Sequence, residues 1–366
     1  MASRQGRRAR LNQKEPSTTV SEGVRVVHDR PCYLCGRPGR AAWSHLRDRL
    51  YSAPGEWQML ECRHCDLLWL DPQPAVEDLD LLYAGYCTHG GTETQPRWGR
   101  LEPWIRAYIA RRYGYGAPPK RSWAFWDSLP GVEDLFGGVV NWLPFVAHGR
   151  LLDVGCGNGE LMRRMRDFGW DVMGVEPDRA AAQVARREYG LDVRASVHEA
   201  PRASFDAVIT HHVIEHVPDP IRFLETLASV CRPNAQIVVV TPNVRGLGAR
   251  WFGASYVHLD PPRHLMLFSA ASLTKVAQRA GLGIERLRTS ARYARFAWSG
   301  SRSIATSRRG RGERSKPIGM RRVNSIAFQI AEHMLGTVWP TSGEELILVA
   351  RPQSSVAQEV QPANRG

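Results

Sequence analysis

The sequence predicts an α/β protein: a seven-stranded, mostly parallel sheet with helices on both faces, preceded by a small ribbon. Three observations carry this. The apolar run Leu151, Leu152, Asp153, Val154 leads into glycines at alternate positions, Gly155, Gly157 and Gly159, and residues 160–165 then read as helix. Short apolar runs at 170–175, 191–194, 204–210, 235–243, 283–289 and 344–351 supply six more strands, separated mostly by helix-length segments. Upstream, four cysteines stand in two Cys-x-x-Cys pairs.

A strand, a glycine turn and a helix make the first half of a nucleotide-binding βαβ unit. Glycines allow φ > 0 and close ligand approach, and the helix start offers unpaired N–H groups. A dinucleotide fingerprint places Gly or Ala at its last position, where this chain has Glu160. A carboxylate there repels a pyrophosphate, which argues against NAD and FAD. Asp153 at the strand tip can attract a ligand that is cationic and carries no phosphate. The second strand ends in Glu176 and Pro177, seventeen residues past Gly159. A carboxylate at that neighbouring tip can accept from both hydroxyls of a ribose. The base of such a nucleoside is expected near 197–199, beside Glu199 or the backbone of Val197 and His198.

The order Asp-Val-Gly-Cys-Gly-x-Gly, Val-Glu-Pro, Phe-Asp-x-Val and Ile-Glu-His-Val-x-Asp-Pro covers residues 148–245. It resembles the class I S-adenosylmethionine (SAM) methyltransferases of the ubiquinone-biosynthesis-like group. The resemblance implies a Rossmann-like sheet, SAM as cofactor and enzymatic methyl transfer. It implies SAM contacts from Asp153, Gly155, Cys156, Gly157, Gly159, Glu176, Pro177, His211 and His212. Cys156, inside the glycine turn, is a small packing residue rather than a nucleophile. The stretch 256–269 is similar to a substrate-side segment of the same family. His264, which lies in it, is the preferred acceptor-side base, with His216 of the Glu-His motif as the second; His211, His212 and His258 are further candidates. A general base helps when the acceptor is a hydroxyl or a carbon acid.

Cys32 and Cys35 are separated from Cys62 and Cys65 by twenty-six residues. Two knuckles at ribbon spacing aim four thiolates at one point, a closed and therefore structural zinc site. Such a site contributes roughly 10–16 kcal/mol of apparent folding free energy to a segment too small to stand alone. His64 could replace one thiolate, but Cys65 completes the spacing. Residues 57–61 and 67–70 read as the ribbon strands. A four-Cys ribbon, an aromatic linker and this domain are together similar to bacterial methyltransferases associated with sugar and surface-glycan biosynthesis. A sugar or nucleotide-sugar is accordingly the favoured acceptor among small molecules.

The remaining chain divides into a disordered basic tail (1–25), the ribbon (26–74), an aromatic-rich helical linker on the acceptor side (75–147), the SAM-binding domain (148–352, with a basic flexible insert near 300–316) and a disordered tail (353–366). The linker holds Trp98, Trp104, Trp123, Trp126 and Trp142, which either stack on a ring of acceptor or cofactor or, more simply, pack onto the sheet. Net charge is +13 and the pI about 9.8. Ten basic residues against Glu313 alone fall within 291–322. Such charge favours anionic partners: nucleic acid, an anionic membrane surface or phosphorylated substrates. RNA methylation is therefore the alternative function, and a non-catalytic scaffold a third class, which the intact glycine turn and Glu176 argue against. No stretch is long and apolar enough to span a membrane. No secretory signal leads the chain, and the unscattered cysteines read as metal ligands, so a reducing, cytoplasmic setting is expected.

Overall fold

A computed structural model describes residues 17–21, 23–83, 101–117, 127, 129, 131–307 and 319–353. The amino-terminal part contains strands β1 (Ser17–Ser21), β2 (Val24–His28), β3 (Arg40–Leu46), β4 (Trp57–Glu61), β5 (Leu68–Asp71) and β6 (Gln73–Pro74), then a 3-10 turn over Val76–Tyr83. Helix α1 (Glu102–Tyr113) follows. The large domain runs β7 (Arg150–Val154), α2 (Glu160–Asp167), β8 (Asp171–Val175), α3 (Arg179–Tyr189), β9 (Asp192–Arg194), β10 (Phe205–His211), α4 (Pro220–Val230) and β11 (Cys231–Pro242). It continues with α5 (Leu247–Phe252), β12 (Met266–Leu267), α6 (Ala270–Arg279), β13 (Leu282–Ser290), α7 (Ala294–Ser307), α8 (Gly319–Val338) and β14 (Glu345–Pro352).

The seven-stranded sheet has the order β9-β8-β7-β10-β11-β14-β13. Its first five strands are parallel, and β14 lies antiparallel to both neighbours. The central strands are apolar without alternation because helices cover both faces; Ala207, Val208 and Ile209 of β10 are all buried. Local chemistry sets the helix ends. Asp178 caps α3 by accepting from the Ala180 amide, and Gly190 closes it at φ 63°. Pro220 opens α4 behind an Asp219 cap, and Ser269 and Ser272 form a reciprocal capping box on α6.

The ribbon is fused to this domain rather than appended to it. Its sheet has the order β12-β5-β4-β3, so one strand comes from the substrate-side segment: Met266 pairs with Trp69 and Leu267 with Leu68. Cys32, Cys62, Cys65, Leu67 and Trp69 share one core with Leu152, Val239 and Leu273.

Three expectations change. The disordered tail does not reach residue 25, because β1 and β2 form an antiparallel hairpin turned at Gly23 (φ 88°). Burial of Val24 and Val26 and pairing of β2 with β6 hold it in place. The insert expected near 300–316 is helical through residue 307, within α7; residues 308–316 lie outside the described residues, as do 1–16 and 354–366. The linker expected to be helical over 75–147 ends in only a short π segment (Glu133–Gly137) and a 3-10 turn (Gly138–Val140). Trp98, Trp123 and Trp126 lie outside the described residues. Trp142 is buried under the guanidinium groups of Arg288 and Arg292, donates to the Glu133 carbonyl, and is a packing residue.

Candidate functional site

The glycine turn sits at the carboxyl end of β7. Gly155, Gly157 and Gly159 have φ of 79°, 56° and 80°, where a side chain is strained. A Cβ on Gly155 would meet Val213 Cγ2 at 2.3 Å, and one on Gly159 would meet Ala185 Cβ at 2.7 Å. The Gly155 and Cys156 amides both donate to the Val175 carbonyl, tying the turn to β8. Cys156 is buried against Met162 and Ala182; burial, with Asp153 and Glu176 nearby, pushes its thiol well up, so it packs and does not react.

Glu176 lies just beyond β8. Its carboxylate accepts from the Gly157 amide at 2.8 Å and the Asp178 amide at 2.9 Å, which fixes it across the turn. Pro177 is exposed at the rim. Asp153 is buried, and its Oδ2 has no hydrogen-bond partner among the described residues. Burial, and then the charge of Glu176, raise its pKa to about 7, against the pull of Arg164. Asp153 pairs with Ile209 across the sheet, and His211 lies two residues on, so both point to one face. His211 Nε2 is also buried without a partner, and burial followed by the charge of Arg292 keeps the ring neutral. Two orphaned polar atoms beside a side-chain-free bend are a cost to the empty protein that a polar ligand offsets.

His212, expected at the cofactor, is held by two carboxylates. Both ring nitrogens are engaged, Nδ1 with Glu215 at 3.3 Å and Nε2 with Glu345 at 2.8 Å. Burial alone lowers its pKa, but the two carboxylates outweigh that and raise it to about 10. The cation in turn holds buried Glu215 at about 2 despite desolvation. Thr241 donates to the other oxygen of Glu215 at 2.9 Å. The His212 ring stacks on His258 with centroids 5.9 Å apart.

His216 and His264 meet edge to face with centroids 4.6 Å apart. His216 Nδ1 contacts the Arg263 carbonyl at 3.1 Å and His264 Nδ1 the His258 carbonyl at 2.7 Å. A carbonyl only accepts, so each Nδ1 carries the proton and, in a neutral ring, Nε2 carries the lone pair. Burial, and then His264, lower His216 to about 4, so it is neutral near pH 7. Glu215, His216 and His264 bring ligand-capable atoms within 4.8 Å of one another. Sequence reasoning singled out these histidines but missed Glu345, 133 residues from His212, for which no local signal exists.

The four ribbon cysteines also bring their sulfurs within 4.8 Å of one another, with Cys35 and Cys62 at 3.5 Å, and none forms a disulfide. Both turns have knuckle geometry: the Gly36 amide donates to the Cys32 carbonyl, and the Cys65 amide faces Cys62 Sγ at 3.4 Å. Zn–S bonds of about 2.3 Å in a tetrahedron require sulfurs about 3.8 Å apart, which this cluster fits. Burial pushes the Cys65 thiol up to about 11, a cost that a cation among the sulfurs removes.

Residues 133–287 match a family model described as a methyltransferase domain. The ubiquinone biosynthesis O-methyltransferase of Parvibaculum lavamentivorans is 36% identical over 119 residues, 30% of this chain and 47% of that protein. Its namesake in Stutzerimonas stutzeri is 32% identical over 139 residues, 34% of this chain and 60% of that one. The chain spans about half the length of the curated relatives it matches. Among solved structures, a SAM-dependent methyltransferase from Mesorhizobium loti aligns at 16% identity and a TM-score of 0.40, covering 62% of this chain and 99% of that one. Phosphoethanolamine N-methyltransferase 2 of Haemonchus contortus, solved with SAM, aligns at 17% and 0.41, covering 78% and 63%.

Proposed function

We propose that the class I SAM-dependent methyltransferase domain carried by this chain moves a methyl group to a small molecule, with a hydroxyl as the acceptor atom. The observation that carries this reading is the buried, unpaired Asp153 Oδ2 beside the glycine bend, with Glu176 fixed across it. When bound, SAM supplies an activated methyl group on a cationic sulfur. Asp153 and Glu176 provide the negative field for it, Glu176 is placed for the ribose hydroxyls, and the glycines leave room for the bound group. Much of the rate in such a transfer comes from holding the acceptor in line, and the segment through His264 provides that hold. His264 takes the acceptor proton on its Nε2, with neutral His216 packed against its ring and Glu215 nearby to stabilise the charge that results.

The four cysteines hold zinc in a structural role, since four thiolates leave no open position. A sugar or nucleotide-sugar is the favoured acceptor, on the resemblance of the ribbon, linker and catalytic domain taken together. Names of the matched relatives support O-methylation of a small molecule.

Turnover with labelled SAM over a panel of sugar nucleotides and other hydroxylated small molecules tests this. His264→Ala is expected to lower kcat by about 10²–10⁴ with SAM affinity unchanged. Unaltered kcat on a competent acceptor removes His264 from the chemistry.

A further inference from the structure

Helix α8 wears its polarity inside out. Ser325, Phe328 and Glu332 face the protein, and Glu332 is the helix's one acid. Ile326, Ile330, Met334 and Val338, four residues apart in series, form an outward stripe, with Ile330 58%, Met334 59% and Val338 85% exposed. Leu335 widens the stripe. Soluble surfaces rarely leave a contiguous apolar face uncovered. Two tryptophans flank it. Trp339 follows the helix and lies under the Arg250 guanidinium at 4.0 Å. Trp251, 68% exposed, lies 6.2 Å from Trp298, which packs on Phe328 of α8 at 4.9 Å.

The charge around this face has one sign. Arg250, Arg295 and Arg302 are exposed on α5 and α7, and neither helix contains an acid. An apolar helical stripe edged by tryptophan and flanked by arginines is suited to the interfacial layer of an anionic bilayer. There the side chains enter the acyl boundary, tryptophan sits at headgroup level and the basic groups meet lipid phosphates. A second copy of the chain fits less well, because apposing this face on itself brings the exposed Arg250, Arg295 and Arg302 of the two copies together. No helix among the described residues is long and apolar enough to cross a membrane, so α8 lies on the surface and does not span it.

We propose that the α8 stripe, with Trp251, Trp339 and the surrounding arginines, is a docking surface for anionic lipid bilayers. Phe296 of α7, 53% exposed, lies 5.8 Å from His258, so the docked face adjoins the acceptor side of the candidate site.

The test is co-sedimentation of the full-length protein with vesicles of phosphatidylcholine, with and without phosphatidylglycerol. Binding to the anionic vesicles is expected, at least about tenfold weaker on the neutral ones and weakened by salt. The exposed-site double variants Ile330→Glu/Met334→Glu and Arg295→Glu/Arg302→Glu are each expected to lose about tenfold while keeping the wild-type melting temperature and SAM affinity. Absence of binding to anionic vesicles overturns the proposal, as does binding that both double variants retain. Sedimentation velocity without lipid supplies the remaining arm. A dimer that Ile330→Glu/Met334→Glu dissolves, together with no vesicle binding, assigns the stripe to a second copy and also overturns the proposal.

Discussion

Arg263 donates to Asp48 at 2.8 Å in an ion pair with both side chains almost wholly buried. The pair joins the acceptor-side segment to the ribbon across 215 residues of sequence. Arg263 also binds Asp260 at 2.5 Å and lies over the Tyr51 ring. Despite the burial, which works the other way, Arg263 holds the Asp48 carboxyl below its ordinary range. Its own carbonyl receives His216 Nδ1, so one residue fixes both the ribbon and a candidate base.

Removing one partner of such a pair leaves a buried charge uncompensated. Arg263→Ala strands both Asp48 and Asp260 and is expected to cost roughly 3–5 kcal/mol in urea unfolding, and Asp48→Ala less, because Asp260 still pairs with Arg263. In variants that remain folded, kcat falls while SAM affinity holds, because the glycine turn does not touch the pair. Equal losses of SAM affinity and kcat contradict a role confined to the acceptor side.

Purified protein is expected to carry about one zinc per chain by elemental analysis. Chelation or Cys62→Ser lowers the melting temperature of the whole domain, because Cys62 and Cys65 share a core with Leu152 and Val239. A metal-free protein with the native melting curve contradicts the zinc assignment.

Asp153 gives SAM binding a pH dependence of definite sign. Its folded pKa of about 7 lies above the ordinary value of about 3.9, so in the empty protein it is largely protonated below neutrality. This group's contribution to the stability of the empty protein is therefore lost as pH rises from about 4 through 7. A cationic ligand selects the ionised form. Affinity thus rises up to about tenfold per pH unit below pH 7 and flattens above it. Asp153→Asn removes this slope, and the comparison cancels the ligand's own titration. Parallel curves for the two proteins rule out Asp153 as the titrating group.

The parts of the site legible in the sequence are those made by neighbours in sequence. The Asp153 strand tip, the glycine bend and Glu176 follow from the spacing of one βαβ unit, and the two knuckles from Cys-x-x-Cys. What escaped depends on distant partners. His212 is legible as a site residue from its motif, but its partner Glu345, on the last strand, is not. Ser17–Ser21 carries too little apolar side chain to announce a strand, and its pairing with β2 forms one all the same. Helix α8 has an ordinary amphipathic period, and only tertiary packing shows that Glu332 is inside and Ile330 outside.

The central claim is that the bend between Asp153 and Glu176 binds SAM, and calorimetric titration of SAM into the wild type, Glu176→Ala and Gly157→Arg tests it most directly. The account predicts one site per chain in the wild type. It predicts affinity at least about tenfold weaker in Glu176→Ala, from the lost charge-assisted hydrogen bonds, and no measurable binding in Gly157→Arg, where a side chain fills the bend. Wild-type affinity in both variants contradicts it.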